Sequence, residues 1–85
     1  MTFKQKLKFI AIENRVGEKG EYKDKPYFLV KLFDDEQNQM LSFFLTDNKA
    51  LAETLLGFAK YDEYEFELSI FRGKFGWDVE LVNVI

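Results

Sequence analysis

Apolar and polar residues alternate with a period of two through most of this chain, and that pattern constrains the fold more than any other feature. Successive side chains of a β-strand point to opposite faces, so an alternating stretch builds one face for a core and one for water. Five stretches do this. The first runs from Phe3 to Glu13, with Leu7, Phe9 and Ala11 on one face and Lys4, Lys6 and Lys8 on the other. Ile10 and Ile12 fall on the lysine side, which implies that the far end of that face is covered as well. Pro26 opens the second strand, Tyr27–Asp34, where a missing amide donor is tolerated. The third is Gln39–Leu45. In the fourth, Tyr64, Phe66, Leu68 and Ile70 point inward and Glu65, Glu67 and Ser69 outward; in the fifth, Trp77, Val79 and Leu81 face the core against Asp78 and Glu80.

The segments between these strands carry turn and helix signals. Asn14 to Lys25 is polar, holds two of the five glycines, and reads as a long loop or an extended hairpin tip. Asp34 to Asn38 is a turn. Phe71-Arg72-Gly73-Lys74-Phe75 is a tight hairpin in which Gly73 is expected to supply a positive φ. One segment breaks the period: from Asp47 to Ala59, Leu51, Leu55 and Phe58 recur at helical spacing, with Thr46 or Asp47 as N-cap. Gly57 weakens its end, so the helix should have two to three turns. The order is β-β-β-α-β-β. It predicts a mainly β, five-stranded OB-fold-like Greek-key barrel, one domain over residues 1–85, with the helix plugging one end. An SH3-like barrel or an α+β roll shares this order.

Composition then narrows the chemistry. The chain of 85 residues has no Cys and no His, which removes disulfides, thiolate chemistry and the commonest base and metal ligand. The remaining catalytic option is carboxylates alone: Asp34, Asp35 and Glu36 around Mg²⁺, or Glu65 and Glu67 on one face. No nucleophile or base partner accompanies them, so we expect a binding protein with no enzyme activity, no cofactor and no metal. No apolar run approaches the roughly 20 residues of a membrane span, and the opening Met1 to Lys8 alternates where a signal peptide would be continuous. The expectation is a cytoplasmic protein with no membrane partner. So short a chain hides only about 60–65% of its unfolded surface, which favours a homodimer.

The net charge of −3 conceals an asymmetry. Residues 1–31 carry eight Lys/Arg and four acids, while residues 32–85 carry four basic residues and eleven acids. Phosphates respond to the local field, which is screened over about 8 Å, so the basic segment matters by itself. Lys4, Lys6 and Lys8 read as a solvated strand face that also discourages edge pairing. The second strand differs, since Lys25, Tyr27, Leu29 and Lys31 follow one another along its outer face. Cations that hold phosphates and a ring that stacks on a base make a sequence-tolerant grip on single strands. The alternative for Tyr27 and Leu29 is cover by a loop or a dimer interface. Arg72, Lys74 and Phe75 give the hairpin tip the same basic and aromatic character.

The basic, glycine-containing loop ending in Lys25-Pro26-Tyr27, the strand after it, and Phe75-Gly76 following a basic turn resemble the small OB-fold single-stranded-DNA-binding (helix-destabilising) proteins of the filamentous-phage type. The resemblance extends over most of the chain through spacing and length, with few identities. It implies that the loop is a DNA-binding wing and that Arg15, Lys19, Lys23, Lys25, Tyr27, Leu29 and Phe75 meet DNA, Phe75 through a dimer. It further implies a phage or mobile-element protein acting in replication or recombination in a bacterial or phage-infected cell. The chain departs from the family in offering Phe43 and Phe44 in the third strand, and Asp78 and Glu80 in the last, where basic residues are usual. The expected partner is single-stranded DNA, with RNA as the neighbouring option, held by the residues above with Lys31, Arg72 and Lys74. The rival reading is a protein-interaction module, an adaptor or DNA mimic, working through the acidic face of Glu65, Glu67, Asp78 and Glu80.

Overall fold

The computed structural model describes residues 1–46, 48–74 and 76–85, with Tyr22 described by its backbone. The elements follow the order β1 (Thr2–Val16), a 3₁₀ turn (Gly20–Tyr22), β2 (Pro26–Asp34), β3 (Gln39–Leu45), α1 (Lys49–Leu56), β4 (Glu63–Gly73) and β5 (Gly76–Val84). All neighbouring strands are antiparallel, and their order across the sheet is β3-β2-β1-β4-β5. The arrangement β4-β1-β2-β3 is a Greek key, in which three strands joined by turns are followed by a fourth that returns beside the first. The sheet curls so that β3 and β5, its two edges, come near each other. The result is a curled half-barrel of the OB type, as the element order predicts.

The long strand β1 makes the curl possible. Its first half pairs with β4, from Thr2 opposite Ser69 to Lys8 opposite Glu63. Its second half pairs with β2, from Lys8 opposite Phe33 to Val16 opposite Pro26. The register shifts between Phe9 and Ala11, where Ile10 is an extra residue. Such a bulge bends a strand and increases its twist. The Phe9 amide and carbonyl meanwhile bond Asp62 O (2.9 Å) and Tyr61 N (2.7 Å), anchoring the bend to the segment that enters β4.

The bulge also corrects the simple alternation. Leu7 and Phe9 are buried as expected, but beyond Ile10 the phase is reversed. Ile12 packs against the core, while Ala11 lies opposite Lys31 on the outer face. Strict period-two counting assigned these two the other way round, because it contains no means of registering an inserted residue.

The core fills the concavity with Leu7 and Phe9 of β1, Val30 and Leu32 of β2, and Phe66 and Leu68 of β4. The helix α1 contributes Leu51, Ala52 and Leu55. Its N-cap is Asn48, and not Thr46; Asp47 lies outside the described residues. The Asn48 Oδ1 accepts the Leu51 amide at 3.1 Å, and its Nδ2 donates to Val82 O at 3.3 Å. One side chain thus starts the helix and ties β5 to the end of β3. The helix has two turns and stops at Gly57. Phe58 lies beyond it, stacked on Tyr64 at 3.9 Å and edge-on to Phe9 at 5.8 Å.

Further expectations are revised at the β4–β5 hairpin. The positive φ belongs to Gly76 (+124°) and not to Gly73. Trp77 is 75% exposed and Val79 40%, so they are not core residues. Their register is still inward, with Trp77 opposite Arg72 and Val79 opposite Ile70. Beyond Ser69, the last β4 residue paired with β1, the two strands run on as an arm on which Phe71, Trp77 and Val79 are exposed.

The bulge makes a testable distinction between neighbours. Ile12→Asp should destabilise the fold by about 2 kcal/mol or more, because it turns a carboxylate toward the core. Ala11→Asp should stay within about 0.5–1 kcal/mol, since it places an acid opposite Lys31 in water. Urea unfolding followed by circular dichroism measures both; the reverse order would mean that β1 has no bulge.

Candidate nucleic-acid interface

Across β1, β2 and β3, the faces turned away from the core align in rows set by the register. Arg15 lies opposite Tyr27. Glu13 lies opposite Leu29, which lies opposite Phe44. Ala11 lies opposite Lys31, which lies opposite Ser42. Four of the sequence candidates, Arg15, Tyr27, Leu29 and Lys31, are therefore together on one surface.

Phe44 completes it. The residue is 66% exposed, and its ring meets that of Tyr27 edge-on, with centroids 5.5 Å apart at 66°. The β3 alternation explains the exposure, since Phe43 and Leu45 on either side are buried. An aromatic pair held in this way presents π surface at small entropic cost, because each ring limits the other's rotamers. Beside it is an open hollow of about 450 Å³ lined by Gly17, Tyr27, Phe44 and Thr46. Counting cations by strand overlooks Phe44; separating Phe43 from Phe44 by face finds it.

The β1–β2 loop borders this surface. It folds back on itself, and does not form an extended tip. Gly17 N donates to Lys25 O at 3.0 Å, Asp24 N to Gly17 O at 2.9 Å, and Lys23 N to Gly20 O at 3.2 Å. Lys19, Lys23 and Lys25 are exposed on it. The remaining candidates are elsewhere. Arg72 and Lys74 are at the end of the β4–β5 arm, which the pairing of Ser69 with Thr2 places beside the start of β1. Tyr27 pairs near that strand's other end. Phe75 lies outside the described residues.

The cations of the surface are engaged with an acid. Arg15 Nη2 donates to Glu13 Oε2 at 3.0 Å, and Lys31 Nζ lies 3.6 Å from the same oxygen. The Arg15 hydrogen bond first, and then the charge of Lys31, hold the Glu13 carboxyl below its ordinary pKa.

Five further acids, Asp34, Asp35, Glu63, Glu65 and Glu67, have structural partners. Asp34 is buried and accepts from Gln5 Nε2 at 2.8 Å, Glu36 N at 3.0 Å and Gln37 N at 3.3 Å, closing the β2–β3 turn. Lys8 pairs with Asp35 at 3.0 Å. Glu67, Glu65 and Glu63 lie opposite Lys4, Lys6 and Lys8, so the three lysines face acids across strands, an arrangement that supports pairing. Among the described residues no group of three or more acids is placed to hold a metal ion, and no helix is long and apolar enough to cross a membrane. No family model, curated protein or solved structure matches the chain.

An NMR titration of Glu13 should give a pKa below that of an ordinary glutamate, and Arg15→Ala should move it upward. Because the folded value is depressed, the stabilisation is present above the unfolded pKa and is lost as pH falls through the folded one. An unshifted Glu13 would show that Arg15 and Lys31 do not hold it in solution.

Proposed function

We propose that this protein binds single-stranded DNA stoichiometrically and with little sequence preference, through the outer face of β1, β2 and β3. The observation that carries the reading is the ring pair of exposed Phe44 and half-buried Tyr27, continuous with Leu29 and flanked by Arg15 and Lys31. Bases stack on such rings with about 1–3 kcal/mol each, whatever their identity, and the cations meet the backbone. The hollow beside the rings has room for a base, and Lys19, Lys23 and Lys25 stand exposed along one border, alternating there with the exposed acids Glu18, Glu21 and Asp24. A protein of this kind covers template and removes hairpins in replication or recombination. The resemblance to the filamentous-phage binding proteins supports the same reading.

The working unit in this reading is a homodimer. What supports it is the arm, whose Trp77 and Val79 turn apolar surface to water that a second copy would cover. Sedimentation equilibrium should return twice the chain mass, and Trp77→Ala should shift it toward the monomer; a monomer at all concentrations would contradict the dimer. A protein partner is the second reading, favoured by the arm, where exposed Trp77 lies on one face and the exposed acids Asp78 and Glu80 on the other.

The main test is titration of fluorescent oligo-dT with rising salt. Log K should fall linearly with log salt, by about 0.7 for each phosphate neutralised. Tyr27→Ala and Phe44→Ala should each weaken binding by about 1–3 kcal/mol, equally for different sequences. Lys4→Ala, opposite Glu67 at the other end of β1, should change little. Absence of binding at about 50 mM salt, where electrostatic contacts are strong, would overturn the reading in favour of a protein partner.

A further inference from the structure

The cations of the outer face do not wait in open solvent. Arg15 and Lys31 project two rows apart on neighbouring strands, and Glu13 lies between them with one oxygen, Oε2, reaching both. The rows that contain Arg15, Tyr27, Leu29, Lys31, Ser42 and Phe44 hold no other carboxylate. All three charged side chains remain substantially accessible, between 36% and 49%. Exposed pairs of this kind add little to fold stability, commonly less than about 1 kcal/mol. Their effect on a bound anion is more direct, because a phosphate that reaches either cation must replace the Glu13 oxygen or share the cation with it.

We propose that Glu13 is an internal competitor for phosphate, which holds Arg15 and Lys31 in place while the face is empty and lowers its affinity for a polyanion. The inference rests on the single-strand-binding reading and adds to it how the grip is kept reversible. Binding exchanges two internal contacts for contacts with the strand. The carboxylate then remains beside the bound backbone as a repulsive charge. A face with free cations would hold the strand more tightly and release it more slowly. A protein that must be displaced from template when synthesis arrives benefits from the weaker hold.

The experiment is the oligo-dT titration repeated with Glu13→Gln, Glu13→Asp and Glu53→Gln. Glu53 is exposed on α1 and belongs to none of the β1–β2–β3 rows, so its substitution makes the same change in net charge outside those rows. Glu13→Gln should bind about three- to tenfold more tightly than wild type, the range two surface ion pairs would produce. Its log K against log salt should be steeper by about 0.7, for one more phosphate effectively neutralised. Glu13→Asp keeps the charge and should stay nearer wild type, and Glu53→Gln should lie within about twofold of it in the same titration. Urea midpoints for each variant separate loss of fold from loss of binding.

If wild type binds and Glu13→Gln gains no more than Glu53→Gln, the competitor role is wrong while the binding face stands. Binding by Glu13→Gln alone would overturn the binding reading for the protein itself, and with it a competitor that tunes that binding. Failure of every variant, wild type included, would remove both the face and its competitor.

Discussion

The inserted residue Ile10 in β1 is the constraint on which the rest of the molecule depends. One strand serves two partners, β4 along its first half and β2 along its second; the change of partner takes place at Lys8, two residues before the bulge. A flat strand of that length would carry a flat sheet with one side of its apolar residues in water. Bending it turns Leu7, Phe9 and Ile12 toward a common interior and brings the edges β3 and β5 near enough for Asn48 to reach Val82. The same phase reversal puts Glu13 and Arg15 on the outside, next to Tyr27 and Leu29. Core and candidate interface are two faces of a single register shift.

That coupling explains why this small protein can leave large rings uncovered. The concavity is filled by all five strands, including Phe43 and Leu45 of β3 and Leu81 of β5, and by the two turns of α1, so the outward Tyr27 and Phe44 are not needed for the core. Each limits the other by edge-to-face contact, and β2 and β3 hold both from behind. The charge follows a similar division. Lysines in the first half of β1 face glutamates of β4, those of the loop are interspersed with Glu18, Glu21 and Asp24, and Arg15 and Lys31 share Glu13. Net acidity is therefore a poor guide to what this surface attracts, since the field that matters is local.

Much of the architecture was legible in the alternation. The third strand, the turn at Asp34, the position of the helix and the inward residues of β4 follow from residue type and spacing. What was not legible shares one physical cause: a period of two specifies faces but not pairings. It cannot register the extra residue at Ile10, and so it exchanges Ala11 and Ile12. It also cannot tell where a strand outruns its cover, which is why Trp77 reads as core and is found on a projecting arm. At the interface, the alternating face of β2 was legible from Lys25 to Lys31. Phe44 was legible only by separating its face from that of Phe43, and Glu13 was not, because it acquires its meaning from Lys31 across the sheet. The cap shows the same limitation at a smaller scale: Thr46 has the right chemistry, but Asn48 is placed to serve both the helix and Val82.

The central claim is that the bend in β1 assembles one stacking and phosphate-binding face across three strands. Mapping amide chemical shifts on addition of a short oligo-dT tests it most directly. The account predicts perturbations that cluster at Glu13 to Arg15, Tyr27 to Lys31 and Ser42 to Thr46, leaving the outward residues of β4 unmoved. Perturbations centred on Trp77 and the β4–β5 arm, or none at all, would contradict it.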